Sequence, residues 1–180
     1  MALLRLLDER PFEQISIALL ASEAGITRAT FYQHYSSVEE LFAAIVDELC
    51  ERLDARIDDA DLQFPIDNSR IIRHVLTVWA EEVGEISIRV EQGLRRVVVE
   101  RFEASLTRML ERVIRVNGLP SLHERELAYI TNFLANAAIS IFNTWARRGY
   151  KERPDQLERI VATIIGPGIE QLLRDSARPS

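Results

Sequence analysis

Ser16-Ile17-Ala18-Leu19-Leu20-Ala21-Ser22-Glu23-Ala24-Gly25-Ile26-Thr27-Arg28-Ala29-Thr30-Phe31-Tyr32-Gln33-His34-Tyr35 is the most informative stretch of this 180-residue chain. Ser16 can cap a helix over 17–24, and Gly25 ends it, because glycine enters the left-handed region without a Cβ clash. Thr27 caps a third helix, from Arg28 to His34. Leu19, Leu20, Ala24, Ile26 and Phe31 are available for packing, while Ala21 and Gly25 are small enough to let two helices approach closely. Two short helices meeting at a glycine are the layout of a helix-turn-helix. The second is too short to serve as a bundle element. Its Thr27, Arg28, Thr30, Tyr32, Gln33 and His34 can all hydrogen-bond. Such a helix fits a DNA major groove, about 12 Å wide.

Working outward, residues 2–9 form an amphipathic helix through Ala2, Leu3, Leu6 and Leu7, which Arg10-Pro11 stops. Downstream, Ser37 and Glu40 make an S-x-x-E capping box that opens a helix over 38–59. The acidic, proline-containing segment from Asp58 to Ser69 reads as a surface loop. Helices follow over 69–84, 86–92, 94–117 and 121–148, the last opened by a second capping box, Ser121-x-x-Glu124. A final helix runs from Pro154 to Arg174, with Pro167 expected to kink it. Apolar residues recur at three- and four-residue spacing throughout, and no strict alternation persists. With only 7 Gly and 6 Pro, the expectation is an all-α fold.

Composition narrows the function classes. At 47% hydrophobic and 28% charged residues the chain is ordinary for a soluble globular protein. No apolar run reaches the roughly 18 residues of a membrane span, and no secretory pattern opens the chain. A cytoplasmic protein without membrane contact is expected. The single cysteine, Cys50, excludes an internal disulfide framework and a multi-cysteine metal site, and its place within a helix reads as buried and inert. His74 and His123 stand alone, without partners at ligand spacing, so no metal site is expected. There is no glycine-rich phosphate loop, no G-x-S-x-G and no oriented triad. No catalytic residue, cofactor or enzymatic activity is expected. The net charge of −6 argues against a basic nucleic-acid coat. Residues 1–50 carry three basic and eight acidic residues, but no acid falls between Ala24 and Val38. The polar face of the third helix is thus free of repulsive charge.

The run from Gly25 to Tyr35, followed by Glu40-Leu41, resembles the recognition segment of the tetracycline-repressor (TetR/AcrR-like) family. Leu6-Leu7, Phe12 and Ile15-Ser16-Ile17 match the start of the same DNA-binding domain. The resemblance is good over residues 1 to about 50; beyond that it rests on helix number, helix lengths and the Trp145-to-Pro154 run. It implies a three-helix DNA-binding domain over 1–50 and a helical effector-binding and dimerisation domain over 51–180. The implied function is a ligand-responsive repressor that binds a palindromic operator in double-stranded DNA as a homodimer. The candidate DNA-binding residues are Ser16, Thr27, Arg28, Ala29, Thr30, Tyr32, Gln33, His34 and Ser37. Two departures point to weaker backbone binding. Val38 stands where the family usually has a phosphate-binding lysine, and the family usually has more first helix, so the start reads as truncated or as lacking a basic arm. The alternative is a helical small-molecule sensor or interaction protein with weakened or lost DNA binding.

The C-terminal helices are apolar on more than one face. In 121–148, Ile130, Leu134, Ile141 and Trp145 mark one stripe, and Ala135, Ile139, Phe142 and Ala146 another. A helix apolar on two faces needs two partners, its own core and here a second copy of the chain. Ile139, Phe142, Ala146, Ile160, Ile164 and Leu172 are the expected dimer contacts. The resemblance also implies a pocket for an unidentified small-molecule effector, for which Trp79, Val83, Phe102, Met109, Tyr129, Phe133 and Asn136 are candidate lining residues. Asn132, Asn136 and Asn143 need polar partners on otherwise apolar helices.

Overall fold

A computed structural model describes residues 2–82 and 94–176. Among the described residues the regular elements are all helical: α1 (Ala2–Glu9), α2 (Ile17–Ala24), α3 (Arg28–Tyr32), α4 (Val38–Asp54), α5 (Asn68–Glu82), α6 (Arg95–Val116), α7 (Glu124–Arg147) and α8 (Pro154–Ser176). Short 3₁₀ turns lie at Phe12–Gln14 and Asp59–Leu62. Val83 and the helix expected over 86–92 lie outside the described residues. None of the described helices is long and apolar enough to cross a membrane.

Local chemistry sets the first four helices. The Oγ atoms of Ser16, Thr27 and Ser37 accept from the N–H groups of Leu19 (3.2 Å), Thr30 (3.0 Å) and Glu40 (3.0 Å), each satisfying a donor in a first helical turn. Gly25 ends α2 at φ +67°, and the Ile26 N–H returns to the Ala21 carbonyl at 2.9 Å. At α4 the expected capping box is half formed. The Glu40 carboxylate takes the Ser36 N–H at 2.6 Å and the Ser36 hydroxyl instead of the Ser37 N–H. These two bonds hold the Glu40 carboxyl below the usual carboxylate range.

Two helix boundaries differ from those expected. Helix α4 ends at Asp54, short of residue 59, and the next segment is not a plain surface loop. Asp61 and Leu62 are buried in its 3₁₀ turn, and Arg70 meets the Asp61 carboxylate at 2.8 Å. Asn117, at the end of α6, clamps this segment. Its Nδ2 donates to the carbonyls of Leu62 and Val113, each at 2.8 Å, and its Oδ1 accepts from the Phe64 N–H at 2.9 Å. Helix α7 opens at Glu124 behind His123, not at Ser121. The residue that returns a bond to the cap is Glu126, which accepts from the His123 N–H at 3.3 Å. Pro167 lies on an exposed face of α8, where solvent can replace the missing N–H bond, and the helix runs on to Ser176.

The larger of two apolar clusters runs from Leu3 and Leu7 of α1 through α4 to Trp145 of α7, and the smaller gathers Ile57, Leu62, Ile71, Val113, Ile114 and Leu173. Trp79 stacks on Phe142 with centroids 4.1 Å apart and planes 9° apart, and Phe102 meets both rings edge-on. Arg73 of α5 and the buried Glu158 of α8 pair at 2.9 Å. This packing takes up half of the expected dimer contacts within one subunit. Ile139, Phe142 and Ala146 are buried in their own subunit, Phe142 between Trp79 and Phe102. Ile160, Ile164 and Leu172 are exposed, joined by Tyr129 and Phe133 of α7.

Gly25→Ala forces a Cβ into the left-handed region, although nothing lies within 4 Å of it. The strain alone should lower stability by about 1 kcal/mol in a denaturant titration, with little change in helix content.

Candidate nucleic-acid interface and interior cavity

Phe31 anchors α3. It is buried at 3% exposure, and its ring lies 6.0 Å from Tyr32 and 5.9 Å from Tyr35. With one side so fixed, Arg28, Ala29, Tyr32, Gln33 and His34 are left exposed on the other, and Thr30 is half-buried. Tyr32 is 52% exposed, so its hydroxyl reaches solvent while its ring edge rests on Phe31.

Three of the candidate residues are also caps, and capping leaves them useful. A cap uses a hydroxyl oxygen as acceptor; the O–H proton stays free to donate. Phosphate oxygens only accept, so Ser16 and Ser37 keep the capability a DNA backbone needs. Thr27 and Thr30 share one hydrogen bond between their hydroxyls at 2.9 Å, which leaves one of the two protons free.

The surrounding acids are partly balanced within the chain. Glu23 pairs with Arg5 at 3.0 Å and Glu39 with Arg96 at 2.6 Å. Arg96 belongs to α6, far along the chain, and nothing in the local sequence marked it. Val38 is only 8% exposed and joins the core below the headpiece. Its side chain is therefore no counterpart of a phosphate-binding lysine.

A cavity of about 180 Å³ lies among α4, α5, α6, α7 and α8. Of the candidate pocket residues, Phe102 and Met109 line it. Trp79 is buried in the core beside it and is not on its wall. Tyr129 and Phe133 lie on the outer face of α7, at 75% and 61% exposure. Asn136 is held between helices, accepting from Arg95 at 3.1 Å and donating to the Asn132 carbonyl at 2.9 Å. Asn132 in turn donates to Glu103, and the buried Asn143 Nδ2 has no partner among the described residues. Among the wall residues that the sequence did not single out are two polar ones, Asp54 of α4 and Ser105 of α6, which come together with Cys50 only when α4 and α6 pack. Cys50 is fully buried, and desolvation pushes its thiol up to about 11. No group of three or more His, Cys, Asp or Glu suited to a metal ion occurs among the described residues.

Comparison with known proteins agrees with this geometry. Residues 2–45 match the family described as bacterial regulatory proteins, tetR family. The HTH-type transcriptional regulator EthR of Mycolicibacterium smegmatis is 36% identical over 80 residues, 44% of this chain and 37% of that protein. The nucleoid occlusion factor SlmA of Colwellia psychrerythraea is 28% identical over 163 residues, 83% of this chain and 81% of that protein. The crystal structure of the TetR family repressor AlkX from Dietzia sp. shares the fold, with a TM-score of 0.55 at 17% identity over 96% of each chain.

Arg28→Ala and Tyr32→Ala should each weaken binding to a DNA sequence that the chain selects from a random pool. A lost base contact costs about 1–3 kcal/mol. Because both side chains are exposed, the melting temperature should stay nearly unchanged. Fluorescence anisotropy and thermal melts read the two effects separately.

Proposed function

We propose that this TetR-like chain is a ligand-responsive transcriptional repressor that works in the cytoplasm and binds a palindromic operator as a homodimer. The observation that carries this reading is the α3 face, which is exposed, acid-free and rich in hydrogen-bond donors, beside cap hydroxyls able to meet phosphate. Ser16, Thr27, Thr30 and Ser37 position the headpiece on the backbone. Arg28, Tyr32, Gln33 and His34 reach the base edges or flanking phosphates, and Ala29 allows close approach.

Residues 1–50 do the reading, and residues 51–180 dimerise and hold the effector. Tyr129, Phe133, Ile160, Ile164 and Leu172 are large apolar side chains left exposed on α7 and α8, and Tyr129 and Leu172 line one groove. A second copy covers this face and sets the two recognition helices about one DNA turn apart, or a multiple of it. The cavity is the effector site. Its wall includes Cys50, Leu53 and Asp54 at the end of α4, whose other end carries the headpiece. An effector that binds better when α4 is displaced favours the non-binding spacing of the recognition helices.

A second reading has its own support. The SlmA relatives match over far more of the chain than EthR does, and they are named nucleoid occlusion factors. On that reading the chain acts on the nucleoid as a whole, which implies bound sites spread along it instead of one promoter. Mapping of bound chromosomal sites separates the two: one or a few promoter sites support the repressor, dispersed sites the second reading. If no sequence is enriched from a random pool at low salt, both fail and the helical sensor with lost DNA binding takes their place.

Ile164, at 72% exposure, tests the assembly. Ile164→Glu together with Leu172→Glu should give a monomer by light scattering while the unmodified chain is a dimer at micromolar concentration. A monomeric unmodified chain removes the dimer from the reading.

A further inference from the structure

We infer that the cavity takes a small, uncharged, apolar molecule about the size of a single substituted aromatic ring. This rests on the reading of the cavity as an effector site, and deepens it by naming the ligand class. The first observation is size. A cavity of about 180 Å³ is somewhat larger than the roughly 150 Å³ apolar cavity that accepts benzene. It has room for one ring and a short substituent.

The second observation is chemistry. Apart from the Met109 thioether, the described wall residues with polar side-chain atoms are Cys50, Asp54, Asn68 and Ser105. Each is already engaged. Ser105 sits beside the Cys50 thiol and the Asp54 carboxyl and lowers the pKa of each, and Arg108 pairs with Asp54. Asn68 donates to the Ile66 carbonyl at 3.5 Å. The rest of the wall is aliphatic or aromatic, with Leu106, Ile141 and Phe142 typical of it. A ligand in such a space finds few open hydrogen-bonding groups, and any polar atom it carries loses water without full replacement.

The third observation is charge. Asp54 is the one ionisable carboxyl among the described wall residues, and Arg108 approaches it to 3.9 Å. Among the described residues no arginine lines the cavity, so an anionic ligand meets no counter-ion there and faces Asp54. A cationic ligand would have to compete with Arg108 for that carboxyl. Burial already raises the Asp54 pKa, which makes it a poorer anion to offer.

The test uses four probes with the same ring: toluene, benzyl alcohol, benzoate and benzylammonium. Calorimetry on the full chain without DNA should show one saturable site per chain for toluene and benzyl alcohol, each raising the melting temperature. Benzoate and benzylammonium should bind at least about tenfold more weakly, since a buried charge would lack a partner. Ala138→Phe, which fills the cavity from α7, should abolish toluene binding. Met109→Ala, which enlarges it, should admit p-xylene. Binding of benzoate or benzylammonium as tight as toluene would overturn the inference, and so would the absence of any neutral-probe binding or a folded Ala138→Phe chain that still binds toluene. DNA release is measured separately by anisotropy. Toluene binding without DNA release leaves the ligand class standing and removes the effector reading. Selective DNA binding with no probe bound does the reverse.

Discussion

Helix α4 is common to both halves of the molecule, and the remaining architecture depends on it. Its buried stripe begins at Val38 and Phe42, which share a core with Leu3, Leu7 and Phe31 of the headpiece. The same stripe ends at Cys50 and Leu53, which form part of the cavity wall. An α-helix is stiff along its axis, so under the proposed function a displacement at the cavity end would carry to the headpiece end. The core that unites the halves leaves no polar linker at residue 50. The division expected there has no counterpart in the packing.

Electrostatics along this helix offsets part of the negative charge around the proposed DNA-binding face. Glu39, Asp47 and Asp54 of α4, and Asp59 just beyond it, face Arg96, Arg101, Arg108 and Arg112 of α6, at 2.6, 3.5, 3.9 and 2.6 Å. Each pair is at least partly solvated and contributes little to stability. Their effect is on the field: arginines from the body lie beside headpiece carboxylates and reduce the repulsion that phosphate would otherwise meet. Because salt screens such pairs and phosphate contacts alike, binding should depend steeply on ionic strength.

Helices α7 and α8 show how a two-faced helix divides its work. Ala135, Ile139, Phe142 and Ala146 turn inward and complete the subunit, while Tyr129 and Phe133 remain outside. On α8, Val161 and Leu173 are buried and Ile160, Ile164 and Leu172 are not. Trp145 joins the two, its Nε1 donating to the Glu152 carbonyl at 2.8 Å and its ring meeting Tyr150 edge-on. The turn between the helices is thereby tied to α7.

Much of the fold was legible in the sequence because its signals are local. A cap such as Ser16 or Thr27 acts on an N–H three residues away, and Gly25 acts through its own φ. The all-α class, the helix-turn-helix and the buried Cys50 follow from such short-range rules and from apolar spacing. Tertiary structure alone decided what depends on partners distant in sequence. It turned both apolar stripes of α7 inward, with Ile130 and Trp145 buried and Leu134 and Ile141 on the cavity wall, and left Tyr129 and Phe133 outside. It buried Asp61 and Leu62 in a segment that reads as a loop, through an Asn117 clamp from the far end of α6. It turned Val38 inward, set Arg96 against Glu39, and built the cavity wall from five helices. Spacing along one helix records which residues share a face, but the neighbour that face meets is set by packing across the whole chain.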